Sequence, residues 1–236
     1  MADHGEPKGE GRAGDGDERR RGFLGFVAHE VRNPLSTALW SAELLARISA
    51  EERGGARGEK LSAMCLRSIS RVRLLVEDHF LCERLDAGGV AVRRDAVPVR
   101  DAADAALERR PPDVGQVTVD VAPTVLLQAD RVLLERALDA LVATAGRDGS
   151  AVRIACEPAG DALALVVAGK PPDAPALEDP VKGSPSEPRG RALALPLVRR
   201  IAAALGGAFS VAEGRYVLTL PRPDVGGARQ DPAAYP

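Results

Sequence analysis

Aromatic side chains are scarce: one Trp, two Tyr and four Phe make up 3% of 236 residues, so any core must rest on Ala, Leu and Val. Cysteine is almost absent. Cys65, Cys82 and Cys156 form an odd set without paired C-x-x-C spacing, which excludes a disulfide or zinc framework and predicts buried free thiols. No apolar run reaches the roughly 18 residues a membrane span needs. The N-terminal MADHGEPKGEGRAGDGDERRR has no apolar signal core either, so the expected location is the cytoplasm, with no membrane partner. Neither sign of charge dominates: 32 Lys and Arg stand against 34 Asp and Glu, a formal charge of −2. Such a balance provides no field to gather nucleic acid, and no nucleic-acid partner is expected.

What is present is enough for a real core: 45% of the residues are hydrophobic and 28% charged, over a length that suits one or two domains. Residues 1–19 combine Gly with mixed charge and read as a disordered arm. From residue 23 the pattern changes. Leu24, Val27, Val31, Leu35, Ala38, Ala42 and Leu45 recur at three- and four-residue steps, which predicts one apolar stripe on a helix running to about Ile48. EERGGARG at 51–58 reads as a turn, and a second stripe follows at Leu61, Cys65, Ile69, Val72, Val76 and His79. Two long helices on a short loop should lie antiparallel. A lone pair leaves its stripe half covered, so the expectation is a homodimer closed by a four-helix bundle.

Past residue 88 the texture is that of an α/β domain with strands and helices in separate layers. Strand-like runs at 117–121, 151–156, 162–168 and 216–220 alternate with helical segments near 100–109, 129–145 and 191–205. Residues 170–190 are rich in Pro and Gly and read as a mobile loop, and 222–236 as a loose tail. The resulting division is an arm at 1–19, a helical domain at 20–88, an α/β domain at 89–221 and the tail.

The segment 23–45 carries the chemistry. At 100° per residue His29 falls about 140–200° from Leu24, Val27 and Val31, on the face opposite the stripe, where solvent reaches it. Glu30 lies beside it and Asn33 one turn later on the same face. One imidazole nitrogen can act as a nucleophile while a carboxylate holds the proton on the other. Trp40, the only tryptophan, falls about 20° from His29 on the helical wheel and Leu44 about 60° away. With Thr37 they form a candidate anchor for a protein partner, although packing inside the protein accounts for Trp40 equally well. His79 reads as a partly buried, hydrogen-bonded side chain, and His4 as inert.

HEVRNPL at 29–35 resembles the phosphoacceptor box of two-component sensor histidine kinases, H-E-x-x-[NT]-P-L. The resemblance extends over residues 22–221: 75–108 is similar to the second dimerisation helix and the lead into the catalytic domain, and 129–145 and 190–211 to the helices bounding the nucleotide pocket. It implies a dimeric helical hairpin followed by a histidine-kinase-ATPase-like α/β sandwich. By the resemblance His29 is the phosphorylated residue, Glu30 its acid/base partner, and Asn33 the residue that orients water for hydrolysis of a partner's phosphoaspartate.

The nucleotide boxes depart from that pattern. Aligned on Asp130 and Ala145, Ala140 and Thr144 stand where N-L-L-x-N-A places its two asparagines, the second of which binds magnesium. Val167 stands at the adenine-binding Asp of D-x-G-x-G, Gly169 is kept, and Pro171 replaces the second Gly. GRALAL at 190–195 replaces G-x-G-L-G-L, its added methyl groups obstructing close approach to phosphates. Losing the three contact sets forfeits about 4 kcal/mol or more, roughly a thousandfold in affinity. The expectation is therefore that neither ATP nor Mg²⁺ is bound and that there is no cofactor. The chain is then closest in kind to kinase-like histidine phosphotransferases, which relay a phosphoryl group between receiver domains of response regulators, the receiver supplying Mg²⁺. Two alternatives stand beside it: an ATP-dependent histidine kinase and response-regulator phosphatase, and a non-catalytic pseudokinase scaffold.

Overall fold

The structure is a computed structural model that describes residues 11–172, 193–212 and 214–223, with side chains from residue 25 onward. It divides into two compact units. The first holds the described residues up to Leu81 together with Leu193; the second holds those from Cys82 to 172 and from Ala194 on.

Helix α1 spans Gly11–Arg47. Its backbone is thus helical at 11–19, where composition suggested an arm. Once the stripe from residue 25 has nucleated a helix, each further residue adds one hydrogen bond at little cost, so the helix extends through the charged run. Residues 1–10 of the expected arm lie outside the described residues. The expected turn at 51–58 holds a short helix, α2 (Ala50–Gly54), and the start of α3 (Ala56–Asp86). Ser49 caps α2 in a reciprocal box: its hydroxyl accepts from the Glu52 N–H at 3.2 Å while the Glu52 carboxylate accepts from the Ser49 N–H at 3.3 Å. That backbone hydrogen bond, aided by Arg57, holds the Glu52 carboxyl below its ordinary range. Arg53 satisfies the freed end of α1, donating to the carbonyls of Leu45 and Ile48. Gly58 is required here, since a Cβ would sit 2.0 Å from the Arg53 carbonyl oxygen.

α1 and α3 run antiparallel, as the pairing of early with late positions shows. Val27 clusters with Leu75 and Leu193, and the Cys65 thiol donates to the Ala38 carbonyl at 3.5 Å. Half of each stripe is covered and half is not. Val27, Ala38, Leu61 and Leu75 are buried, while Leu35, Leu39, Leu66, Ile69 and Phe80 are each more than half exposed.

The second unit contains β1 (Asp95–Pro98), α4 (Val99–Glu108), β2 (Val117–Asp120), β3 (Leu126–Ala129), α5 (Arg131–Ala145), β4 (Val152–Ala159), β5 (Ala162–Ala168), α6 (Ala194–Ala204), β6 (Ala208–Ala212) and β7 (Arg215–Pro221). Five strands form a sheet in the order β2-β4-β5-β7-β6, antiparallel except for the β2–β4 pair, and β1 pairs with β3 in a separate ribbon. α5 packs between α4 and α6, and its N-terminus is capped by Asp130, whose carboxylate also accepts from the Arg93 N–H. β7 shows the period of two that a half-buried strand requires: Tyr216, Leu218 and Leu220 are fully buried and their neighbours are not. The core is aliphatic, built on Leu134, Leu138, Leu141, Ile154, Leu165 and Ile201. Helices α4 to α6 cover the sheet from one layer, as the alternation of segments predicts.

The division into compact units falls within α3, after Leu81, and its last turn packs with the α/β unit: the Arg200 Nε–H is shared between both Asp86 carboxylate oxygens at 2.8 Å. The loop expected at 170–190 lies outside the described residues from 173 on, and the tail does so from 224 on. The cysteines are free; Cys82 is buried, whereas Cys65 and Cys156 are only half-buried.

Candidate functional site

α1 places His29 in solvent, its side chain 50% exposed, and turns Glu30 inward to 5% exposure. The Nδ1 of His29 faces the Glu30 carboxylate at 3.7 Å, longer than a hydrogen bond. Four residues on, Pro34 lies inside α1 and has no N–H to give the Glu30 carbonyl. The following turns use side chains to reinforce the backbone: Thr37 donates to the Asn33 carbonyl at 3.1 Å and Ser41 to the Thr37 carbonyl at 2.7 Å.

Past Pro34 the two helices frame a cleft of about 330 Å³ lined by Asn33, Pro34, Thr37, Met64, Arg67, Ser68 and Arg71. Asn33 and Thr37 thus meet at one wall. Trp40, 55% exposed, and the half-buried Leu44 do not line it. The far wall went unnoticed in the sequence, although Met64, Arg67, Ser68 and Arg71 recur at three- and four-residue steps on one helical face. That signal was masked by the stripe alongside it. Among the described residues no group of His, Cys, Asp and Glu could hold a metal ion, and no helix is long and apolar enough to cross a membrane.

The helical hairpin thus carries an exposed histidine with a carboxylate at its shoulder, and an α/β sandwich follows it in the chain. Residues 19–88 match the His Kinase A (phospho-acceptor) domain. The fold is that of histidine kinases: the Acinetobacter baumannii histidine kinase AdeS is similar at a TM-score of 0.59 and 14% identity, over 82% of this chain and 97% of that one. The mycobacterial sensor histidine kinase MprB shares 23% identity over 55% of this chain and 99% of its own, with a TM-score of 0.43. No curated protein matches the sequence.

The family implies ATP and Mg²⁺ in the second unit, and the residues at those positions do not fit them. Ala140 offers no ligand atom, and the Thr144 hydroxyl donates to the Ala140 carbonyl at 2.7 Å. Magnesium needs well-placed oxygen ligands in near-octahedral array, which this pair does not provide. Val167 is fully buried in the sheet, paired with Ile154 and Tyr216, and presents no acceptor for an adenine amine. Gly169 is kept for a packing reason: a Cβ there would lie 2.7 Å from the Ala145 carbonyl oxygen. Gly190, Arg191 and Ala192 of the last box lie outside the described residues.

Proposed function

We propose that this protein is a histidine phosphotransferase, which accepts a phosphoryl group on His29 from a phosphorylated receiver aspartate and returns it to the aspartate of another receiver, without ATP. The observation that carries the reading is the contrast at the two sites: an exposed His29 with Glu30 at its Nδ1, and Ala140, Thr144 and Val167 where a nucleotide and its metal need polar ligands.

The chemistry follows from that geometry. The Nε2 lone pair of His29 attacks phosphorus in line with the acyl phosphate, the N–P bond forms as the P–O bond breaks, and the electron pair leaves on the receiver's carboxylate. Glu30 stabilises the positive charge that develops across the ring by holding the Nδ1 proton, the role in which acid–base partners contribute about 10²–10⁴-fold. The reverse attack, by a second receiver's carboxylate on phosphohistidine, restores the neutral ring. The receiver brings its own Mg²⁺, and His29 needs only to be reachable.

Receivers dock beside His29, Asn33 and Thr37 contributing from the cleft wall and Trp40 and Leu44 from the adjoining face. The cleft's arginines, Arg67 and Arg71, suit the acidic surface around a receiver's aspartate. Leu35, Leu39, Leu66, Ile69 and Phe80 are an uncovered continuation of the hairpin's own stripes, and a second copy of the chain covers them in a homodimer.

The test is transfer of radiolabel from a panel of phosphorylated receivers. The wild type is expected to gain acid-labile label on a histidine and His29→Ala none. If neither protein is labelled by any receiver, or both are labelled alike, the scaffold reading replaces this one.

A further inference from the structure

Arg147 is 5% exposed, and its guanidinium is spent on backbone. Nη1 donates to the Thr144 carbonyl at 2.9 Å and to the Lys170 carbonyl at 3.5 Å, and Nη2 to the Pro171 carbonyl at 2.6 Å. The first acceptor lies at the end of α5 and the other two just past β5, so one side chain ties together the two segments whose residues would flank a nucleotide. The tie is doubled. The Lys170 N–H donates to the Ala145 carbonyl at 2.8 Å, the Tyr216 hydroxyl to the Lys170 carbonyl at 2.7 Å, and the Gly169 N–H to the Gly214 carbonyl at 3.2 Å. From the solvent side the Lys170 ammonium pairs with Asp148 at 2.5 Å.

A buried arginine carries a large desolvation cost that its hydrogen bonds must offset, and carbonyl dipoles converging on one guanidinium supply that offset. We propose that Arg147 is an internal brace beside the positions that would flank a nucleotide: it joins the end of α5 to residues 169–171, so that this part of the second unit keeps its shape with no ligand. The inference rests on the reading that nucleotide is not bound. It adds that the two segments are held together from within, by a cation built into the chain.

Hydrogen exchange on the full-length protein tests it at the amides of Gly169 and Lys170. Arg147→Met keeps the length and apolar stem of the side chain and removes the donors. It should speed exchange at these two amides by about tenfold or more, the factor expected when one hydrogen bond to a charged group is lost. Amides in the first unit should be unaffected, and Arg147→Lys should recover part of the protection. Unchanged protection at Gly169 and Lys170 in a folded Arg147→Met protein overturns the proposal. If that variant does not fold, Tyr216→Phe decides: faster exchange confined to this segment supports the brace, and wild-type exchange removes it. Millimolar Mg-ATP should leave both amides of the wild type unchanged, and a gain in protection contradicts the proposal. Label transfer to His29 in Arg147→Met reports on the phosphotransfer reading separately, because it does not depend on the brace.

Discussion

The two units have kept different things. In the helical unit HEVRNPL resembles the phosphoacceptor pattern, while a large part of the apolar surface is left uncovered; in the α/β unit most of the apolar side chains are buried and the nucleotide boxes depart from the pattern. Packing and chemistry are therefore separable: Leu134, Leu138 and Ile201 build a core in the same unit in which Ala140 and Thr144 offer no charged ligand atom. A domain can lose its site and keep its fold because a core needs volume and pattern, whereas a ligand site needs particular atoms.

Substitutions can sharpen or break this contrast. The largest effect is expected at Glu30. Glu30→Gln should keep the fold and receiver binding but slow transfer about 10²–10⁴-fold in single-turnover label transfer, whereas Thr144→Val in the other unit should leave the rate unchanged. Equal effects would erase the division of labour. Next come two aspartates on one helix. Leu75→Asp places an unpaired charge in the hairpin's interior and should cost about 3–4 kcal/mol in denaturant unfolding. Ile69→Asp, at a half-exposed site, should leave the hairpin folded and reduce the mass by light scattering from twice 24.7 kDa to once. A wild type that is already monomeric at micromolar concentration contradicts the dimer.

Trp40→Ala should weaken receiver binding by about 2 kcal/mol in calorimetry if Trp40 is an anchor; no change would assign it to packing within the dimer. The smallest effect concerns Cys156 in β4. Burial raises this thiol to about 11, so at pH 8 it is almost wholly protonated and alkylation should be slow, accelerating as the pH climbs toward that value. The sign for stability follows: the folded state binds this proton more tightly than the unfolded chain, so the contribution is present below the ordinary thiol pKa of about 8.5 and is lost as pH rises through about 11.

How much of this was legible in the sequence depended on the kind of signal. The stripes of α1 and α3, the continuous apolar run of β5 and the alternation in β7 were plain because each signal runs over many residues. The exposure of His29 followed from helical phase alone, and the uncovered apolar surface from a hairpin of only two long helices. Glu30's burial was less accessible: it sits beside His29 in sequence but turns toward the inside, which depends on the path of the partner helix. Arg67 and Arg71 escaped because a cleft between two helices is defined by both. The brace at Arg147 escaped for a related reason, since two of its three acceptors are carbonyls more than twenty residues away and carbonyls leave no trace in a sequence.

The central claim is that phosphoryl groups reach His29 from a receiver and not from ATP. Its most direct measurement offers the full-length protein two labelled donors in parallel, Mg-ATP with label in the γ position and a phosphorylated receiver, and follows acid-labile label on wild type and His29→Ala. The account predicts label on the wild type from the receiver alone, and none on His29→Ala from either donor. Label appearing on His29 from Mg-ATP without a receiver would contradict it and make the protein an ATP-dependent histidine kinase.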